Sequence, residues 1–270
     1  MNYLEPEDAQ NRSGLRLALT AGVPGPWSES AKKIFDYKKI DYLPVIQRAA
    51  EPNEALVAWT GIRNAPIAIY NDEPPRTNFQ DIVALAERLK PEPSLLPAEA
   101  TERWQCFGIS AAICGEGGYG WLRRHVMGER PGRSTSPSAK ISTTTFSDDA
   151  PPATFDPHTL NRAYGGIEAE REAAAGRIVD ILCSLEAQLA SQRAAGSDYF
   201  VGSSITACDV HWACFSAMLK PMPAPVNPMP GWLREAYSYQ GDLVDPDDYP
   251  LLIAHRDGLF EHHLGLPLDY

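Results

Sequence analysis

Three histidines near the C-terminal end, His255, His262 and His263, form the densest group of side chains able to ligate a metal. Their spacing matches no standard ligand pattern and no cysteine or carboxylate completes the set, so no metal site is expected. The five cysteines, Cys106, Cys114, Cys183, Cys208 and Cys214, include no C-x-x-C pair, and their odd count does not suggest a disulfide framework. Most sit among apolar neighbours, as small buried hydrophobes do, which makes a reducing cytoplasm the simpler setting. There is no G-x-G-x-x-G, phosphate-binding loop, G-x-S-x-G or H-E-x-x-H. The most specific local signal is Thr206-Ala207-Cys208-Asp209, where a threonine cap and an acid three residues later can satisfy each other's backbone amides. Ile205 and Val210 flank it as a hydrophobic staple. Asp209 therefore reads as a folding device, not a catalytic acid.

The chain has 270 residues, 44% hydrophobic and 22% charged, ordinary values for a globular protein with one large domain or two smaller ones. A net charge of −11 argues against general affinity for nucleic acid or an anionic membrane. The basic pairs Lys32-Lys33, Lys38-Lys39 and Arg123-Arg124 read as solvated helix faces. No apolar run reaches a membrane span, and the acidic residues 1–14 read as a poorly ordered extension without the order of a secretion signal.

Residues 15–90 alternate strand-like and helical segments. Leu15 to Leu19 alternates with period two; Pro26-Trp27-Ser28-Glu29 starts a helix carrying Ala31, Ile34, Phe35 and Lys38 on one side. Tyr42 to Ile46 suits a second strand, and a short helix is expected from an Asn53 cap to Trp59. Pro66 opens a third strand through Tyr70, Pro74-Pro75-Arg76 can be only an edge strand, and a helix buries Phe79, Ile82, Val83, Ala86 and Leu89. Such an order demands a mixed sheet with helices on its faces. Residues 91–97 form a proline-rich linker, and residues 98–270 show helical periodicity without a convincing strand. Trp104, Phe107, Ala111 and Cys114 recur at helical spacing, as do Ile178, Ile181, Leu182, Leu185 and Leu189. Residues 128–160, rich in proline, serine, threonine and glycine, read as a long loop near a pocket mouth.

The pattern Gly202-x-x-x-Thr206-x-x-Asp209, the proline-opened third strand and the strand–helix order together resemble the soluble glutathione transferases, from about Leu15 to Leu268. Segments such as Ala65 to Tyr70, Ala84 to Leu89 and Cys114 to Trp121 are similar to a proteobacterial-type subgroup. The resemblance implies an α/β thioredoxin-like N-terminal domain plus an all-α C-terminal domain, the glutathione-transferase fold, and a homodimer. It implies that Ala65-Pro66 is cis, with the Ala65 backbone pairing with the cysteinyl unit of glutathione. Glutathione would serve as co-substrate and a hydrophobic small molecule as its partner, as in detoxification.

Two positions depart from the family. The residue just before the first helical proline, a serine or cysteine in many members, is Gly25, and the tyrosine position of other classes falls on Thr20 and Ala21. The nearest hydroxyl is Ser28, which either reaches the sulfur, by its side chain or its amide, or bonds its own backbone; Trp27 either shapes the pocket wall or packs on the sheet. The γ-glutamyl anchor, usually an acid followed by a hydroxyl, is Thr77-Asn78; these, with Arg63 or Arg76, would hold the tripeptide's carboxylate, or Thr77 would only cap a helix. Trp104, Phe107, Ala111 and Cys114 would either wall the electrophile pocket or pack the helical core. The expected activity is transfer of the glutathione thiol to a hydrophobic electrophile. A glutathione-dependent isomerase or lyase, and a non-catalytic carrier of apolar ligands, are the alternatives.

Overall fold

Strand β1 (Leu15–Thr20) is buried on both faces, and its three leucines point one way while Arg16 and Ala18 point the other. The computed structural model describes residues 1–49, 51–128, 168–240 and 243–270. A one-turn helix α1 (Pro6–Ala9) precedes β1; then follow α2 (Pro26–Tyr37), β2 (Leu43–Gln47), α3 (Glu54–Thr60), β3 (Ile67–Tyr70) and α4 (Phe79–Leu89). Beyond these the described residues form helices only: α5 (Ala100–Cys114), α6 (Tyr119–Gly128), α7 (Glu168–Ala194), α8 (Ala207–Phe215), α9 (Gly231–Ser238) and α10 (Pro250–Leu259), with short 3-10 and π turns. None of these helices is long and apolar enough to cross a membrane. Residues 129–160 of the loop expected at 128–160 lie outside the described residues.

β1 is the central strand, parallel to β2 and antiparallel to β3, with Ala18 opposite both Val45 and Ile67. The double proline contributes one antiparallel bridge, Ala68 to Arg76, instead of a full edge strand, since neither proline can donate to a ladder. Ala18, Val45, Ile67 and Ile69 pack with Leu56 of α3 and Ala9 of α1 on one face. On the other face Leu15, Leu17 and Leu19 join α2, α4 and the helical half in one continuous apolar cluster. Two layers of helix thus cover a three-stranded sheet.

Several expectations need correction. Residues 1–14 are not a loose extension: Leu4 bridges Val45 in parallel, and Glu5 makes a two-pronged pair with Arg48 at 2.6 and 3.1 Å. Asn53 does precede α3, but its backbone is left-handed (φ 52°) and its side chain holds the Arg48 amide and carbonyl instead of capping the helix. Lys39 is exposed, as expected of a solvated face, but the other three lysines are not. Lys32 meets Glu29 at 2.8 Å, Lys33 donates to the Leu264 carbonyl at 2.8 Å, and Lys38, 0% exposed, meets Glu87 and the Pro93 carbonyl, each at 2.7 Å. Buried ammonium groups persist only where such acceptors surround them. Arg123 is likewise buried, donating to the Met218 and Tyr239 carbonyls at 2.9 and 2.8 Å.

The segment after α4 is pinned from both sides. Glu87 accepts from the Leu95 amide at 2.9 Å and the Ser94 hydroxyl at 2.8 Å, while the Leu95 carbonyl accepts from the first amide of α8 at 2.8 Å. At that helix start the Asp209 carboxylate accepts from the Thr206 amide and hydroxyl, both at 2.7 Å, from the Phe200 amide at 2.9 Å and from His255 Nε2 at 2.9 Å. The expected capping box is present, the Thr206 side chain facing the Asp209 amide and the Asp209 carboxylate the Thr206 amide, and the threonine hydroxyl donates to the acid in addition. Ile205 and Val210 are both buried, as a staple requires.

Candidate functional site

Between the sheet half and the helical half lies a cavity of about 630 Å³. Its floor is the corner where β1 ends and α2 begins, with Thr20, Gly25, Pro26, Trp27 and Ser28. The corner follows from local chemistry. Pro26 occupies the first helical position, where its missing N–H costs nothing, and Gly25 stands in the cap position with no side chain to offer. The Gly25 amide bonds the Val23 carbonyl at 2.8 Å, and the Glu29 amide closes the first helical turn onto the Gly25 carbonyl at 2.9 Å. The amides of Trp27 and Ser28 have no carbonyl one turn below them, and the positive end of the helix dipole lies there.

The Ser28 hydroxyl is buried and doubly engaged. It accepts from the Thr20 amide at 3.0 Å and donates to Thr20 Oγ1 at 3.3 Å; Thr20 in turn donates to Gln47 Oε1 at 2.8 Å. This relay ties α2 to the ends of β1 and β2, so the Ser28 hydroxyl is held by Thr20 of the neighbouring strand where the sequence suggested its own backbone or the sulfur. A Cβ built on Gly25 would meet nothing nearer than Thr20 Cβ at 3.8 Å, so the corner has room for a larger residue.

A second wall comes from Ala65 and Pro66, joined by a cis peptide bond, with Asn64 and Ala49 beside them. Thr77, Asn78 and Phe79 add a third edge. Asn78, not Thr77, caps α4: its Oδ1 accepts from the Asp81 amide at 2.8 Å. Thr77 is exposed at the rim. Arg76 is drawn away to Glu73 at 2.6 Å. Arg63 does not line the cavity, although its neighbours Ile62 and Asn64 do.

The helical half supplies the aromatic wall. Trp27 donates its indole N–H to the Cys114 carbonyl at 3.1 Å and stands edge-on to Trp121 and Phe215, with centroids 5.5 and 4.8 Å away. The Arg124 guanidinium lies 4.9 Å from the Trp121 centroid and 5.5 Å from that of Trp27. This packing needs Gly120, since a Cβ there would come 2.3 Å from the Phe215 ring and 3.1 Å from Trp27. Trp232, Leu233, Ala236 and Tyr237 of α9, with Met127, complete the wall.

Of the four residues expected on α5, only Cys114 reaches the cavity. Trp104, 75% exposed, and Ala111 lie on the outer face, and Phe107 is half-buried away from the lining. The helix buries Cys106, Ser110, Ile113 and Cys114 instead, a stripe of smaller residues rotated from the expected one. Burial pushes the Cys114 thiol up, and it donates to the Ser110 carbonyl at 3.0 Å, so it is a neutral group and not a nucleophile.

Sequence reasoning missed Tyr237. It is buried in the wall and donates its hydroxyl to the Pro24 carbonyl at 2.9 Å, clasping the loop before α2. Burial raises its pKa, with Glu29 adding to the shift and Arg124 opposing it, so the phenol stays protonated. No sequence motif marks it, because it lies more than two hundred positions from the loop it touches. Among the described residues no cluster of three or more metal-binding side chains is present; His255 is taken by Asp209, and His263 Nε2 lies 3.0 Å from the Tyr199 hydroxyl.

Solved structures match this architecture over nearly its whole length. The β-etherase LigF from Sphingobium sp. strain SYK-6 aligns with a TM-score of 0.63 at 16% identity, covering 91% of this chain and 94% of its own. A glutathione S-transferase from Methylobacillus flagellatus, solved with glutathione bound, gives 0.61 at 15% identity over 92% and 96%. The chain has the glutathione S-transferase fold. A maleyl pyruvate isomerase, a bacterial glutathione S-transferase of the Zeta class, gives 0.55 at 18% identity over 91% and 92%. No family model and no curated protein matches the sequence. Within the glutathione S-transferase fold, the cavity lies between the thioredoxin-like and the helical parts.

Proposed function

We propose that the protein binds glutathione along the corner between α2 and Pro66 and uses its thiolate on a hydrophobic electrophile held against the aromatic wall. The observation that carries this reading is the cavity itself, which brings the α2 start, the Ala65-Pro66 turn and the α6–α9 wall around one space of about 630 Å³. The Ala65 backbone would pair with the cysteinyl unit, and Thr77 with Asn78 would meet the γ-glutamyl end at the rim; Arg63 has no part in this arrangement. A thiol has a pKa of about 8.5, and a helix N-terminus lowers it. The Trp27 and Ser28 amides would therefore favour the thiolate, with Ser28 acting through its amide while its hydroxyl holds Thr20.

Addition to an electrophile, isomerisation and ether cleavage all begin with that thiolate, and neighbours named for different reactions match the fold about equally well. The reading includes a cytoplasmic setting and a homodimer, and sedimentation of the purified protein would check the homodimer.

A second reading, a carrier of apolar ligands, is favoured by one observation: Gly25 offers no side chain to the corner and the Ser28 proton points at Thr20. Calorimetric titration with glutathione, followed by the ultraviolet absorbance of the thiolate against pH, separates the two. Transferase chemistry predicts that the bound thiol ionises about one unit or more below the free one. Ser28→Ala should keep that titration while costing roughly 1 kcal/mol of stability, because the Thr20 amide loses its acceptor. A bound tripeptide titrating as it does in free solution, or no binding of glutathione at all, would end the transferase reading and leave the carrier.

A further inference from the structure

Three hydroxyls surround the α2 corner, and they differ in what each would strand by turning towards a ligand. Ser28 cannot turn without abandoning the Thr20 amide, which it accepts at 3.0 Å, and a buried unpaired N–H is among the costliest defects in a protein. Thr20 is the middle of the relay, receiving from Ser28 and donating to Gln47. Tyr237 makes one hydrogen bond of a different kind, from its Oη to the Pro24 carbonyl at 2.9 Å. Rotation about a single C–O bond redirects that proton, and what is left behind is a carbonyl lone pair, which folded proteins leave unpaired more readily than an amide.

Position supports the same residue. Tyr237 lines the cavity together with Gly25, Pro26, Trp27 and Ser28. Its hydroxyl is anchored to the residue immediately before Gly25, so it lies within about three residue lengths, roughly 10 Å, of the first-turn amides. Its buried ring sits on α9, where Arg123 fixes the following turn by donating to the Tyr239 carbonyl at 2.8 Å. A rigid helix holds the donor; a loop holds its resting acceptor.

We propose that the Tyr237 hydroxyl is the side-chain donor to the glutathione sulfur, turning from the Pro24 carbonyl to the thiolate when the tripeptide binds. This rests on the glutathione reading above. The thiol proton leaves to water, the phenol keeps its own proton, and the sulfur lone pair accepts the hydrogen bond until it attacks the electrophilic carbon and the leaving group departs with its bonding pair. The phenol's raised pKa suits a donor that is never to act as the base. In this arrangement the helical half contributes to thiol activation as well as to the electrophile pocket.

The test compares wild type, Tyr237→Phe and protein carrying 3-fluorotyrosine at 237, each titrated with glutathione and with S-methylglutathione, which has no thiol proton. A hydrogen bond to a charged acceptor moves a pKa by roughly one to two units, so Tyr237→Phe should hold about tenfold or more less thiolate near pH 7 while binding S-methylglutathione within about twofold of wild type. The fluorinated residue, a stronger donor of almost the same shape, should move the bound thiol pKa downwards; it also serves if the phenylalanine variant fails to fold. An unmoved thiol titration in either variant overturns the assignment, as does a parallel loss of S-methylglutathione binding, which would make Tyr237 a loop clasp only. Wild-type protein that binds no glutathione refutes the functional reading itself and is seen before any variant is compared.

Discussion

Two polar centres in this molecule are built on opposite plans. Around Asp209 a charge with no exposed surface collects four donors within 2.9 Å, from Phe200, Thr206 twice and His255, and nothing opens to solvent. At the α2 corner the hydroxyls of Ser28 and Thr20 satisfy one another, while the first-turn amides stand beside a cavity of about 630 Å³. A closed set of partners fixes architecture, because any change strands a buried group. A set with unanswered donors at a cavity is suited to receive charge from outside. The contrast separates a centre that holds the fold from one with room to receive a ligand.

The sharpest way to break it is Asp209→Ala. Four donors would lose their acceptor in a dry interior, and we expect a loss of about 3–5 kcal/mol in denaturant unfolding. A cost near that of a surface substitution would show that the cluster is not the keystone described. Next in size is acid sensitivity at His211, on the same helix. Burial pushes its pKa down to about 4, with Asp209 opposing, while Nδ1 lies 2.9 Å from the Ser110 hydroxyl. The folded pKa is below that of an unfolded histidine, about 6.5, so the unfolded chain binds the extra proton. Stability contributed by the neutral ring is complete above pH 6.5 and is lost as pH falls towards 4, by about 3 kcal/mol at most. Thermal unfolding of wild type and His211→Gln between pH 7.5 and 4.5 should converge as the solution becomes acidic; parallel curves would refute the burial effect. The smallest effect on stability belongs to the corner. Gly25→Ser has room and an ordinary backbone (φ −65°), so unfolding should change by about 0.5 kcal/mol or less, while a new hydroxyl lowers the pKa of bound glutathione. A variant whose thiol titrates like wild type would place the sulfur away from the corner.

What could be read from the sequence divides along the same line. The order of β1, α2, β2, α3, β3 and α4, and the Thr206–Asp209 turn, rest on residues within a few positions of each other, and the chain reports such patterns directly. The buried lysines could not be read that way: Lys32 is answered by Asp269, Lys33 by Leu264 and Lys38 by Glu87 and Pro93, all distant in the chain. A charge pair looks solvated until its far partners are known. On α5 the large Trp104 and Phe107 drew the buried stripe to the wrong face, because tight helix packing there takes Cys106, Ser110 and Ile113 instead. At the candidate site, the start of α2 and the strand opened by Pro66 were legible as local motifs, while the cis Ala65-Pro66 turn came from the family resemblance. Tyr237 was not, since a single tyrosine on a short helix carries no mark of the loop it will touch.

The glycine at 120 has a consequence for how such a pocket can diversify. Because the Phe215 ring already fills the space a side chain would need, with Trp27 pressed beside it, that side of the cavity is welded to the interior of the helical half. Mutational drift there would be paid in foldedness before selectivity could change. Met127 and Trp232 line the other side and are only half-buried, so substitutions there would reshape the cavity with less disturbance to the interior.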